Sequence, residues 1–203
     1  VSQGVRDIPI MSTMRRVPGG ASGPLDKMLI DLKKANVRVG WFESSKYNDE
    51  NQTPVAYVAA INELGPHARP FMRTTADQRD KEWSALMFNL SKLVVKGQLT
   101  VAQALDGVGL QVGADIQKTI STITSPPLSL ITLMVRKYRM EHPGAKVTGK
   151  TIGEFAAHAY DVGEENVDVS GVSTKPLNDT GYMLATVSSS VNGGDAKAVG
   201  GSQ

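Results

Sequence analysis

The aliphatic residues Val101, Leu105, Val108, Val112, Ile116, Ile120 and Ile123 recur at three- and four-residue spacing, which places them on one face of a helix across residues 101–123. A stripe of that length cannot lie on a sheet, whose side chains alternate with a period of two, so an all-β chain is excluded. Thr100 and Gln103 stand where a capping box would open this helix. Three glycines interrupt it, Gly107, Gly109 and Gly113, each costing about 1 kcal/mol against alanine. Close packing against another backbone is the physical reason to retain them. A second stripe, Trp83, Leu86, Met87, Leu90, Leu93 and Val94, predicts a helix from Thr74 or Thr75 to a stop at Gly97.

The rest of the chain supplies shorter elements. Leu25, Met28, Leu29 and Leu32 predict a helix from Pro24 to near Asn36. Val37, Val39 and Trp41 alternate as in a half-buried strand over 37–42, and Ala185, Val187 and Val191 as in a second strand over 185–191. Val55, Val58, Ala59 and Asn62 predict a short helix, with Gly65 suited to a left-handed C-terminal position. Pro126 and Pro127 end the glycine-bearing helix, and "LSLITLMVRKYRM" reads equally as a helix or as an extended apolar segment. Residues about 140–174 read as an insertion with a capping box at Thr151 and Glu154. The expected fold is therefore α+β: a small, mostly antiparallel sheet packed against two long helices, in one domain over 25–191.

Flexible arms are expected at both ends, residues 1–24 and 192–203, which are rich in Gly, Ser and Pro. Their apolar side chains are too few to offset an ordering cost of about 1–2 kcal/mol per residue of backbone. They are expected to fold across an adjacent subunit or another protein, with Val5, Ile8, Ile10 and Val17 as anchors of the first arm.

Composition narrows the chemistry. The chain has no cysteine, which excludes disulfides, thiolate metal sites and a cysteine nucleophile. A formal net charge of +2 gives no strong field for nucleic acid. No apolar run approaches the roughly 20 residues needed to span a bilayer, and the first 20 residues lack a secretory apolar segment, so no membrane partner is expected. His67, His142 and His158 lie far apart with no ligand spacing, so neither a metal nor a cofactor is expected. Arg136, Lys137 and Arg139 form a basic run that reads as a solvated helix end, with a contact to phosphates or an acidic partner as the alternative.

Asp179-Thr180-Gly181 spells the catalytic loop of retroviral-type aspartic proteases. Such enzymes bring two copies together so that two carboxylates share a proton. They need apolar strand residues before the loop and a nearly all-β fold; Asn178 stands there instead, and the helical stripes contradict that fold. The bland reading is that Asp179 or Thr180 caps a short helical turn in "GYMLA" while Gly181 eases the backbone.

Taken in order, Val37-Arg38-Val39-Gly40, then Ala59, Glu63 and Gly65, then Arg69-Pro70-Phe71, and finally Lys175-Pro176-Leu177 with Asp179-Thr180-Gly181 resemble the neck and tail-completion proteins of HK-type bacteriophages. The resemblance covers about 37–133 and 175–191. It implies a non-enzymatic virion protein forming a homo-oligomeric ring, hexameric or dodecameric, that joins the capsid portal and connector to the tail and lines the DNA passage. It implies neighbouring neck, connector or tail proteins as partners, only non-specific proximity to DNA, and residence in the virion after assembly in the host cytoplasm. A tail terminator capping the tube is the adjacent alternative, and an aspartic protease using Asp179 the remote one. Family members continue past the closing strand into a further strand, which the glycine-rich tail of this chain does not obviously supply. Arg69 and Arg73, flanking Phe71, are expected at a structural junction or subunit contact, with Pro66 and Pro70 stiffening the loop.

Overall fold

The computed structural model describes residues 23–49, 51–177 and 181–200. The N-terminal arm with Val5, Ile8, Ile10 and Val17 therefore lies outside the described residues, apart from its last two positions. The chain divides into two units, residues 1–34 and 35–203. The first contains helix α1, Pro24–Lys34, with Asp26 in its first turn and Lys33 and Lys34 in its last, each sign matched to the helix dipole.

The second unit is α+β. Strand β1, Val37–Gly40, is followed by helices α2, Val55–Leu64, α3, Phe71–Val95, α4, Val101–Thr122, α5, Leu130–Glu141, and α6, Gly149–Val162. A 3-10 turn at Glu164–Asn166 precedes the one-turn helix α7, Tyr182–Ala185, and strands β2, Ser188–Val191, and β3, Lys197–Ala198. The sheet has the order β1-β2-β3 and is antiparallel throughout, with Val39 opposite Ser189 and Lys197 opposite Ser189 on the other side.

Helix α4 lies against this sheet, and its glycines set how closely. A Cβ on Gly109 would stand 2.9 Å from both Val37 Cγ2 and Ser189 Cβ, and one on Gly113 only 2.5 Å from Val199 Cγ2. The helix thus presents bare backbone where the strands present side chains. Gly107 differs: its Cβ would meet Leu90 at an ordinary 3.6 Å. The core gathers Val55, Ala59, Phe71, Ile116, Ile120, Leu177, Met183, Val187 and Val199, with Trp41 edge-on to Phe71 at 5.6 Å between centroids. Helix α3 runs along α4, where Trp83 Nε1 donates to Asp115 Oδ2 at 2.8 Å and the Thr75 and Thr119 hydroxyls meet at 2.7 Å.

Several expectations are corrected. The tail after residue 191 is not a flexible arm over its described length: β3 pairs with β2, and Val199, 4% exposed, enters the core. Two paired residues carry too little alternation to be seen in sequence, but Gln117 Nε2 holds the Val199 carbonyl at 2.9 Å and Lys197 pairs with Asp106 on α4. Helix α3 begins at Phe71, about a turn before the expected start at Thr74 or Thr75. The closing strand begins at Ser188 because Tyr182–Ala185 is helical. Of the two readings of "LSLITLMVRKYRM", the helical one is found, over Leu130–Glu141, while α6 opens on a box made by Thr148 and Thr151, not by Thr151 and Glu154. Gly65 is not left-handed, with φ −72°; its backbone N–H donates to Ile61 O, an oxygen 2.4 Å from where a Cβ would stand. The Thr100–Gln103 capping box is present as expected.

The two glycines separate packing from propensity. Gly107→Ala is expected to raise stability by up to about 1 kcal/mol, since only helix propensity changes. Gly113→Ala is expected to lower it by about 1–3 kcal/mol through overpacking against Val199. Urea unfolding midpoints at unchanged m-value measure both.

Candidate functional site

The segment joining α2 to α3 brings together most of the residues singled out from sequence. Pro70 precedes the first turn of α3 and has no side-chain acceptor for its orphan N–H groups. Glu63, near the end of α2, supplies one from a distance. Its carboxylate accepts from Met72 N at 2.9 Å and Arg73 N at 3.1 Å, and Arg73 Nε donates to the same oxygen at 3.1 Å. Arg73 also donates to the Glu63 carbonyl at 2.9 Å. Glu63 is only 8% exposed, and three donors, one of them on the Arg73 guanidinium, make that burial tolerable. Behind it Phe71 is fully buried, so Phe71 is the first core residue of α3.

Arg69 completes the junction. Its backbone N–H donates to Asn62 O at 2.6 Å, and its guanidinium donates to the carbonyls of Pro126 and Pro127 at 2.8 and 3.1 Å. Arg69 and Arg73 thus tie α2, α3 and the 125–127 turn of one chain together. This is a structural junction, and the donors just named are engaged within the chain.

The basic run at 136–139 does not behave as a solvated helix end. Arg136 is 7% exposed and donates to the carbonyls of Ser173 at 2.6 Å, Lys175 at 2.9 Å and Pro176 at 3.2 Å. It holds the Lys175-Pro176-Leu177 segment, whose Leu177 reaches the core. A helical register inside a charge run gave no sign of which cation turns inward. Lys137 pairs with Asp168, and only Arg139 and its neighbours remain solvated. The Lys137 ammonium and the Ser170 backbone N–H hold the Asp168 carboxyl well below the usual carboxylate range.

Asp179 and Thr180 lie outside the described residues. Gly181 is left-handed, φ 73°, and opens α7, whose Tyr182 hydroxyl donates to Lys46 O at 2.9 Å while Met183 O accepts from Trp41 Nε1 at 2.8 Å. The segment therefore delivers α7 against the end of β1. Of the histidines, His142 stacks on Tyr138, His67 lies at the rim of a hollow and His158 beside a smaller one; no group of three His, Cys, Asp or Glu able to hold a metal occurs among the described residues.

Two clefts adjoin the junction and share Asn62, Arg139 and Pro176. One, of about 750 Å³, is floored by Val58, Leu177 and Met183 and flanked by Tyr47 and Tyr182. The other, of about 460 Å³, is lined by His67, Arg69, Arg136, Arg139, Ser129 and Thr132 and by no carboxylate among the described residues. Compared with protein-family models, with curated proteins and with solved structures, the chain matches none. No helix among the described residues is long and apolar enough to cross a membrane.

Chemically, Glu63 is an acceptor already filled by backbone N–H groups and a guanidinium, which suits it to holding α3 in place. Glu63→Ala is expected to destabilise the fold by about 2–4 kcal/mol, because it orphans two N–H groups and breaks a charge-assisted pair whose arginine is partly solvated. Glu63→Gln, which keeps one acceptor, should lose roughly half as much; denaturant unfolding separates the two.

The Asp168 carboxyl tests the other contact. Its folded pKa is depressed, so its contribution to stability is present above the ordinary aspartate pKa and fades as pH falls through the folded value. Lys137→Met should return the Asp168 titration toward the usual aspartate range, read by carboxyl carbon shifts in an NMR pH titration.

Proposed function

We propose that this chain is a structural, non-enzymatic component of a tailed bacteriophage virion, forming a homo-oligomeric ring in the neck between capsid portal and tail. The observation that carries the reading is the convergence of the ordered motifs on a single packing unit. Val37–Gly40 is an edge strand; Glu63, Gly65 and Arg69-Pro70-Phe71 build the α2–α3 junction; Lys175-Pro176-Leu177 is clamped by Arg136; and Gly181 opens the turn into β2.

Each motif thereby has a mechanical purpose, the one expected of a subunit selected for shape. The sheet is supported by α4 directly and by α3 behind it. The apparent departure from the family pattern also falls away, since β3 provides a strand after the closing one. Exposed apolar side chains on α2 and α6, with Leu64 at 70% and Tyr160 at 89%, are surfaces that assembly would cover.

Native mass spectrometry and particle images of the purified full chain test this. Closed rings of uniform stoichiometry are expected; a chain that stays monomeric at every concentration and in the presence of portal and tail proteins would sink the reading.

A further inference from the structure

Resting on the ring reading, we propose that the basic hollow beside the α2–α3 junction receives the acidic end of α6 from a second copy of this chain, head to tail. Two of the arginines lining the hollow, Arg69 and Arg139, meet no carboxylate among the described residues. Arg139 and His67 have no hydrogen-bond or ion-pair partner there, and Arg69 is held only by the prolyl carbonyls, which leave its charge intact. The same chain displays the complementary charge at the end of α6. Asp161, Glu164 and Glu165 are exposed and have no cationic partner among the described residues, while nearby Asp168 is already engaged by Lys137.

Both surfaces have an apolar flank. On α2, whose Asn62 lines the hollow, Tyr57, Ile61 and Leu64 sit at i, i+4 and i+7, at 61%, 49% and 70% exposed. Beside the acids, Ile152 and Tyr160 lie two turns apart on α6 and Val162 ends it. An apolar centre with charged margins of opposite sign is the anatomy of a protein interface. A nucleic-acid backbone offers phosphates but nothing for Ile61 and Leu64, and the net charge of +2 supplies no field to attract it. Two different patches on one chain generate a heterologous contact, which closes into a ring when the rotation permits. The hairpin of α5 and α6 would then be the projecting element that reaches the next subunit.

A charge swap on the full chain decides the matter, with oligomer distribution followed by native mass and sedimentation across protein concentration and salt, and folding checked by circular dichroism. Arg139→Glu alone, and Glu164→Arg with Glu165→Arg, should each raise the concentration for half-assembly by on the order of tenfold or more. The triple variant should recover much of that loss, and wild-type assembly should weaken with added salt. Rings that form equally well in wild type and in both charge variants would overturn this interface while leaving the ring reading standing. Unchanged rings with loss of DNA retention in Arg139→Glu would also overturn it, and would assign the hollow to phosphate. A wild-type chain that never assembles removes both readings.

Discussion

The buried carboxylate of Glu63 is the contact on which the rest of the architecture depends. Proline before a helix cannot provide a side-chain cap, yet Pro70 is where the chain must turn so that Phe71 enters the core at the first turn of α3. Glu63 resolves the conflict by reaching across from α2 to take the Met72 and Arg73 N–H groups, and Arg73 in turn neutralises it. Because Glu63 is fixed at one end of α2 and Val55 and Ala59 are buried along the same helix, the angle between α2 and α3 is set from both ends. Gly65 belongs to this arrangement through space, since any side chain there would strike the Ile61 carbonyl.

A second constraint is the distance between α4 and the sheet. Helix glycines and strand serines are both poor choices for their elements by propensity, and each makes sense only beside the other. Ser189 is 1% exposed and its hydroxyl has no hydrogen-bond partner among the described residues, a cost that an apolar residue would avoid. The strand and helix come this close because Gly109 has no side chain: a Cβ there would stand 2.9 Å from the Ser189 Cβ. Close approach thus outweighs hydroxyl satisfaction at this position.

Those two constraints differ in how far they could be read from the chain alone. The stripe of α4, its Thr100 cap and the packing purpose of its glycines follow from periodicity, because a long helix repeats its signal many times. The start of α3 did not follow, since its first residues are placed by Glu63 and not by an apolar stripe. The burial of Arg136 was hidden because a charged residue in a basic run looks solvated until the carbonyls of Ser173, Lys175 and Pro176 are brought to it by tertiary structure. The junction itself was legible only as an ordered set of motifs; which groups meet, Glu63 with the α3 backbone and Arg69 with two prolyl carbonyls, is decided by tertiary packing.

β3 is the sharpest case, and it shows how the fold is closed. Lys197 and Ala198 carry no strand pattern, and the glycines around them argue for a free tail. What recruits them is an incomplete surface on α4. Without Val199, Gly113 would leave an apolar recess beside Ile116, and Gln117 would lose the Val199 carbonyl while keeping only that of Leu184. Filling that recess buries a valine side chain, worth about 1.5–3 kcal/mol. Two ladder residues and an ion pair to Asp106 then hold the register. The sheet therefore joins strands from opposite ends of the second unit, with β2 central, and α4 is the template that both ends must find. Long-range closure of this kind is slow to form, because loop entropy must be overcome before the contacts exist. It also means that α4 alone cannot establish the sheet face: the helix supplies the recess, and residues near 199 supply what fills it.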